Sequence, residues 1–519
     1  MLRPRAFGMV TALSVVGLIF SALAAPAARA QGDQALPKAN IADAKKIQEL
    51  FLKYAAFWRS DEVDAKEAIK QDAALEELAK EIKKFETDKK CGTVLADDVT
   101  WVKHLAAAYT ERIKNGKDKS PSGKGTIKDE SIEVKTSGDV IRYDFAFSLP
   151  NAYTPDKAWP VLICLPDGDN EKDATKPAIT GKAYLTGVWD DGKESKELRE
   201  NFILLAPTLH PKTPEGAAKS ERGKKLTQKS VAAFDAIQTS QIFRPLVEMR
   251  KRFNCDPSKV YIEGVGRGAQ LAFGYAALYG ANTFAGVVLR NAQPADIGLI
   301  ASLRDRPVLF LYREGGPCDT GDAKKFFEDM KTIAAKESVK SLTFIAKPPL
   351  EKVLPKDMGN QLVDAMKDSN KDVWDFLSKQ SLAAYPTTVR FVTNNRAFNR
   401  CAWFKIYNVD IAGSGKADIL VEVDRATNSI RATTQNVGGV TFFLNDSILD
   451  LDKPVTVYFN GAAQPAAEKK VVREMSTMLK DMKVAALTPL RILTAVLQVD
   501  IPAATSQPSG EGAVDGEKK

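Results

Sequence analysis

Asp256-Pro-Ser-Lys-Val-Tyr-Ile-Glu-Gly-Val-Gly-Arg-Gly-Ala-Gln270 is the stretch that decides the fold. Val260, Tyr261 and Ile262 form a β-branched and aromatic run suited to a buried strand. Gly264-x-Gly266-x-Gly268 interrupts it, and small residues from Arg267 onward suit a closely packed helix. Working outward, helical sequence from Lys229 to Phe253 precedes this unit, and apolar strands follow at Phe284 to Leu289, Pro307 to Tyr312 and Leu342 to Ala346. Amphipathic helices separate these strands at about Asp322 to Ala335 and follow them at Gly359 to Leu377. Upstream, Ile132 to Lys135 and Val140 to Ser148 flank Ser137-Gly138 as a hairpin, and Pro160 to Leu165 and Phe202 to Ala206 are further apolar strands. Two antiparallel strands feeding a βαβ series predict an α/β class, with a mostly parallel sheet buried on both faces.

The flanks differ in periodicity. From Ile41 to Lys114 apolar residues recur at three- and four-residue spacing, as in Ile47, Leu50, Phe51, Tyr54 and again in Val99, Val102, Leu105, Tyr109, so three amphipathic helices are expected. Asn115 to Gly125 is rich in Lys, Gly and Ser and reads as a linker. From Thr387 to about Gly461 short β-branched and aromatic runs between turn residues predict a small β-sandwich. A helix from Ala467 to Met482 and a polar tail from Ala504 close the chain. At the other end, Arg3 and Arg5 precede an apolar run from about Gly8 to Ala25 and the small residues Ala28 and Ala30, the pattern of a cleaved export signal. The expected division is therefore 1–30 signal peptide, 31–125 helical region and linker, 126–386 α/β domain, 387–461 β-sandwich-like module and 462–519 helix and tail. A secreted, periplasmic or cell-envelope location follows from the signal, and no later segment is apolar enough to span a membrane.

Composition narrows the function classes. With 519 residues, 44% hydrophobic and 27% charged, the chain is neither a disordered polymer nor a small disulfide-stapled module. Loss of residues 1–30 removes three arginines and no acid, taking the formal charge from +8 to +5, and the basic residues are interleaved with acids, so nucleic-acid binding is not indicated. Five dispersed cysteines (Cys91, Cys164, Cys255, Cys318, Cys401) with no C-x-x-C pair point to mostly buried free thiols.

The strand–turn–helix context of Gly264-Val265-Gly266-Arg267-Gly268 is that of the G-x-S-x-G nucleophile elbow, with glycine in the middle. On this elbow, on the element order and on the D-P-x-[RK]-[VI]-Y phrase at Asp256 to Tyr261, the central domain resembles the α/β-hydrolase superfamily, in particular secreted bacterial esterases of the feruloyl-esterase and polyhydroxybutyrate-depolymerase type. The resemblance covers about half the chain and implies a carboxylic-ester hydrolase fold. It also implies where the other catalytic parts belong. The family's His-Gly-Gly loop corresponds to Leu165-Pro166-Asp167-Gly168, so Pro166 stands at the His. The acid falls near Glu314-Gly315-Gly316-Pro317, with Gly316 at the approximate Asp position and Asp319 three residues on. The catalytic His belongs after Ala346, yet no His follows His210. Glycine cannot attack a carbonyl and no base remains to move the proton, so a lost triad, a pseudoenzyme acting in binding or scaffolding, is the favoured expectation. A nucleotide-binding Gly-rich turn and an ordinary structural turn are the alternatives at the same residues.

Other candidates are weighed beside this one. His210 with Asp167, Asp169 or Glu314 would serve an active hydrolase with a non-standard site, and a structural envelope protein would need no pocket. Asp167 and Asp169 are weak metal candidates, since the acidic loop fails the EF-hand pattern at Lys172 and Ala178. Gly413-Ser414-Gly415-Lys416 lacks the context of a P-loop. His104 reads as structural. Trp403 and Phe404 suggest a sugar-stacking platform or, more simply, a core in which at least one of them is buried. No cofactor is expected. The expected partner is an unidentified ligand in the crevice, a polysaccharide or cell-surface component, with no nucleic acid and no integral membrane span after signal cleavage.

Overall fold

The computed structural model describes residues 65–89, 94–116, 121, 124–135, 140–167, 179–190, 195–209, 236–316, 318–337, 339–349, 369–411, 415–464, 470–484 and 490–501. The signal peptide, the helix expected around Ile47 to Trp58, His210, Asp169, Gly413, Ser414, Cys91 and the polar tail lie outside the described residues.

Eight strands form one sheet: β1 (Ile127–Lys135), β2 (Val140–Ser148), β3 (Trp159–Leu165), β4 (Ile203–Pro207), β5 (Cys255–Val265), β6 (Gly286–Arg290), β7 (Val308–Arg313) and β8 (Leu342–Lys347). Their spatial order is β1-β2-β4-β3-β5-β6-β7-β8. β2 pairs antiparallel with β1 and β4, and every pairing from β4 through β8 is parallel. This is the mostly parallel α/β-hydrolase arrangement expected from the sequence. β4 and β6 are buried along their whole length, as strands covered on both faces must be.

The helices are α1 (Ala65–Lys89), α2 (Asp98–Lys114), α3 (Gly181–Leu185), α4 (Lys196–Asn201), α5 (Ala236–Arg252), α6 (Arg267–Thr283), α7 (Gly321–Lys336), α8 (Asn370–Leu377) and α9 (Met475–Val484). One face of the sheet packs against α5, α6 and α7 through Leu246, Phe253, Phe273, Phe326 and Met330. The other packs against α3, a π-helical turn at Thr186–Asp190, α4 and α8 through Tyr184, Trp189, Leu198 and Leu377.

The β-rich region holds β9 (Thr388–Thr393), β10 (Arg400–Cys401), β11 (Phe404–Val409), β12 (Ala417–Asp424), β13 (Ser429–Gln435), β14 (Val437–Leu444), β15 (Thr456–Phe459), β16 (Ala462–Ala463) and β17 (Ala495–Asp500). They make two sheets, β10-β11-β14-β17 and β16-β15-β13-β12-β9, around a shared apolar core. The expected boundary at 461 is therefore too early, because β17 pairs along β14 from Gly439↔Asp500 to Leu444↔Ala495. Gly415-Lys416 leads into β12, and β13 with β12 forms an antiparallel hairpin, so no P-loop strand–helix unit exists there. Both Trp403 and Phe404 are fully buried, and the Trp403 indole donates to Pro386 O at 2.9 Å, which removes the sugar platform. Alternation fails here because Trp403 lies in the tight turn joining β10 to β11, where Ala402 has φ +48, rather than within a strand.

α2 ties the parts together. Its N-cap Asp97 accepts from Thr100 N, and Arg112 donates to Lys251 O and Arg250 O at 2.9 and 3.1 Å, satisfying carbonyls at the C-terminal end of α5. Tyr109 Oη donates to Phe253 O at 3.0 Å. On the β-rich side, Asp98 accepts from Asn445 Nδ2 at 2.9 Å and Ser447 Oγ at 2.7 Å. A 3₁₀ helix at Ile297–Leu303 adds a second seam: Ser302 Oγ donates to Val392 O and accepts from Val392 N, while Asp296 pairs with Lys416 at 2.6 Å and accepts from Asn394. The connection at 381–386 is fastened by Leu382 N to Ser258 O at 2.8 Å.

Candidate functional site

The elbow joins β5 to α6. A side chain at Gly264 would place its Cβ 2.3 Å from the Gly268 backbone, and one at Gly268 would place its Cβ 2.2 Å from Leu165 O, so both glycines permit the first turn of α6 to lie against the sheet. Gly266 is required for a different reason, its φ of +55. Its N–H donates to Arg290 O at 3.0 Å and its carbonyl accepts from Gln270 N and Gln293 N, each at 3.1 Å, which pins the turn.

Two side chains fill the space above it. A Cβ on Gly266 would lie 2.6 Å from Cys318 Sγ, 2.9 Å from Cys318 Cβ and 3.2 Å from Asp167 Cγ. The Cys318 thiol donates to Asp167 Oδ2 at 3.1 Å, and Asp167 Oδ1 accepts from Arg267 N at 3.3 Å. The N–H after the nucleophile position is one of the donors that stabilise the oxyanion in working elbows. Here it is engaged by a carboxylate of the same chain, at the start of α6 where the helix dipole favours negative charge. Cys318 is itself held at φ +55, with its carbonyl accepting from Gln293 Nε2 at 3.0 Å.

The remaining candidates disperse. Asp319, near the expected acid, accepts from Tyr312 Oη at 2.8 Å and Gly315 N at 2.7 Å, a closed local turn. Glu314 is exposed and pairs with Lys324 at 3.5 Å, so it is not part of the elbow contacts. His104 lies on α2, where burial lowers its pKa. Gly316, expected at the acid's place, donates its N–H to Arg313 O and contributes nothing to the elbow; Cys318 reaches it instead. Among the described residues no group of three or more His, Cys, Asp or Glu side chains could hold a metal ion.

Beneath the elbow lies a buried polar network that sequence reasoning missed. Glu263, immediately before Gly264, accepts from Tyr184 Oη at 2.9 Å and Arg290 Nε at 3.1 Å. Arg290 also donates to Ser369 Oγ and Asn370 Oδ1, and Asn370 Nδ2 continues to Val188 O and Ser195 Oγ. Burial pushes the Glu263 carboxyl upward and Arg290 opposes it. The charged residue inside the apolar run of β5 was its only sequence signal. The free thiols also divide: Cys164, Cys255 and Cys401 are buried, with burial raising the last two to about 12, whereas Cys318 is half-buried at the elbow.

No family model and no curated protein sequence matches the chain. Similar solved structures include a thermostable esterase, 13% identical, covering 49% of this chain and 63% of its own, at a TM-score of 0.35. A ferulic acid esterase is 11% identical, covering 48% of this chain and 98% of its own at 0.35. S-formylglutathione hydrolase from Staphylococcus aureus is 10% identical, covering 50% and 98% at 0.32. Strand order and the elbow define an α/β-hydrolase fold with an added β-rich region.

Proposed function

We propose that the chain is an exported hydrolase-fold protein that works by binding or scaffolding and does not cleave esters by the serine mechanism. The observation that supports this most directly is the filled elbow: glycine stands at the nucleophile's position, Cys318 Sγ lies 2.6 Å from where a Cβ would be, and Asp167 engages the Arg267 N–H. The absence of any His beyond His210 in the sequence adds the missing base. Purified protein, wild type and Gly266→Ser, is expected to give no turnover of short acyl nitrophenyl esters above a heat-killed control and no labelling by a fluorophosphonate. Turnover or covalent labelling in wild type overturns the reading; turnover in Gly266→Ser comparable to a working hydrolase would reveal a base near the elbow.

Export rests on the pattern of residues 1–30. None of the described helices is long and apolar enough to cross a membrane. N-terminal sequencing is expected to return Gln31; an intact Met1 on membrane-embedded protein would refute it. The ligand is proposed as a polysaccharide or cell-surface component, on the resemblance alone.

A further inference from the structure

The eight-stranded sheet ends differently at its two edges. β1 carries Lys128, Asp129, Glu130, Glu133 and Lys135, the kind of charges that guard an edge strand. β8, at the other edge, reads Leu-Thr-Phe-Ile-Ala-Lys, and its one charge, Lys347, pairs with Asp372. Leu342 and Phe344 share one face of β8. Phe344 stacks on Phe310 at 4.9 Å between ring centres and meets Phe327 of α7 at 5.6 Å. Both Leu342 and Phe344 nevertheless stay half-buried, because the last turns of α7 set Ala334 and Ala335 beside them, side chains too short to cover them.

The space left is a groove of about 400 Å³ between α7 and β8, closed at one end by Val339. Two exposed lysines, Lys331 on α7 and Lys340 in the loop before β8, line it together with these apolar side chains. Neither lysine forms a hydrogen bond or an ion pair with any described residue. No carboxylate lines the groove, and Glu337, at the end of α7, faces Arg390 of β9 at 4.0 Å. The groove lies at the start of β8, whereas the elbow follows the end of β5 in the same parallel set, so the two occupy opposite ends of the sheet.

Ligand sites typically span roughly 300–1,000 Å³ and combine apolar walls with a few polar groups that orient the ligand. This groove is at the small end of that range, with room for one acyl chain. Its apolar floor and its two ammonium groups complement an apolar tail ending in an anion. Ammonium groups act as point charges without the fork by which guanidinium selects tetrahedral oxyanions, so a single carboxylate satisfies them. We propose that the groove between α7 and β8 binds a medium-chain fatty acid, its chain along Leu342 and Phe344 and its carboxylate at Lys331 and Lys340. The site does not depend on the ligand proposed for the elbow crevice.

The test titrates the full mature chain with sodium octanoate, sodium decanoate, octanamide and sodium acetate by isothermal calorimetry. Octanoate and decanoate should bind, each added methylene tightening binding by up to about fourfold, and acetate should not. Octanamide, with the same chain and no charge, should bind at least about threefold more weakly than octanoate, within the range of an exposed ion pair. Lys331→Gln with Lys340→Gln should bring octanoate down to octanamide while leaving octanamide unchanged, a split that a merely structural effect would not give. Ala335→Trp, at an exposed helix position, should fill the groove and abolish binding of both. No octanoate binding, equal affinity for octanoate and octanamide, or octanoate affinity unchanged in the lysine double variant or in Ala335→Trp would overturn the proposal.

Discussion

Gly266→Ala tests whether the elbow is closed by its own chain. The substitution forces an L side chain into φ +55, which costs about 1–2 kcal/mol in the left-handed region. It also drives a Cβ to 2.6 Å from Cys318 Sγ and 2.9 Å from Cys318 Cβ, and overpacking of that kind typically costs about 1–3 kcal/mol. The expected destabilisation is therefore about 2–5 kcal/mol. Cys318→Gly should relieve the steric part, since it removes both close atoms, leaves Asp167 Cγ at 3.2 Å and suits the positive φ of residue 318. Urea denaturation of the two single variants and the double variant closes the cycle. The double variant should recover about 1–3 kcal/mol relative to additivity, with m values unchanged so that the comparison stays two-state. Gly266→Ala within about 0.5 kcal/mol of wild type, or additive effects in the double variant, would refute the claim that Cys318 fills the nucleophile's space.

Two further outcomes concern how the parts are joined. Burial raises the Asp98 carboxyl above its ordinary value of 3.8, with Asp446 adding to it and Ser447 opposing; a raised folded pKa contributes stability that is present below the unfolded value and lost as pH rises through the folded one. Asp98→Asn, which keeps an acceptor for Asn445 and Ser447, should be more stable than wild type at neutral pH, the gap narrowing as the pH falls towards the ordinary carboxylate value. Denaturation across that range checks it, and a gap that widens in acid would refute it. Limited proteolysis should cut within Asn115 to Gly125 before Ser381 to Pro386, since the first is small and polar in sequence and the second is held by Leu382 N to Ser258 O and Trp403 Nε1 to Pro386 O. Early release of a stable β fragment by cleavage at 381–386 would reject the docked arrangement.

Local pattern carries far in this chain. The alternation and apolar runs predicted β2, β3, β4, β6, β7 and β8 to within about two residues, because strands packed in the sheet interior are mostly apolar, whereas β1 and β5 each begin five residues before the expected run, through the polar stretches 127–131 and 255–259. Gly264, Gly266 and Gly268 announced a tight strand-to-helix turn, and the two histidines of the sequence limited the chemistry before any fold was known. Contacts between distant residues left no such trace. Cys318 meets Gly266 and Asp167 only because the loops after β7, β5 and β3 share one end of a parallel sheet, and a thiol in Gly-Pro-Cys-Asp has no periodicity that signals it. β17 joins β14 after an intervening helix, so the sequence boundary fell short. Glu263 and Arg290 are likewise single charges 27 positions apart in the sequence; only the parallel pairing of β5 with β6 brings them to 3.1 Å, because strand pairing is a property of the folded chain rather than of spacing.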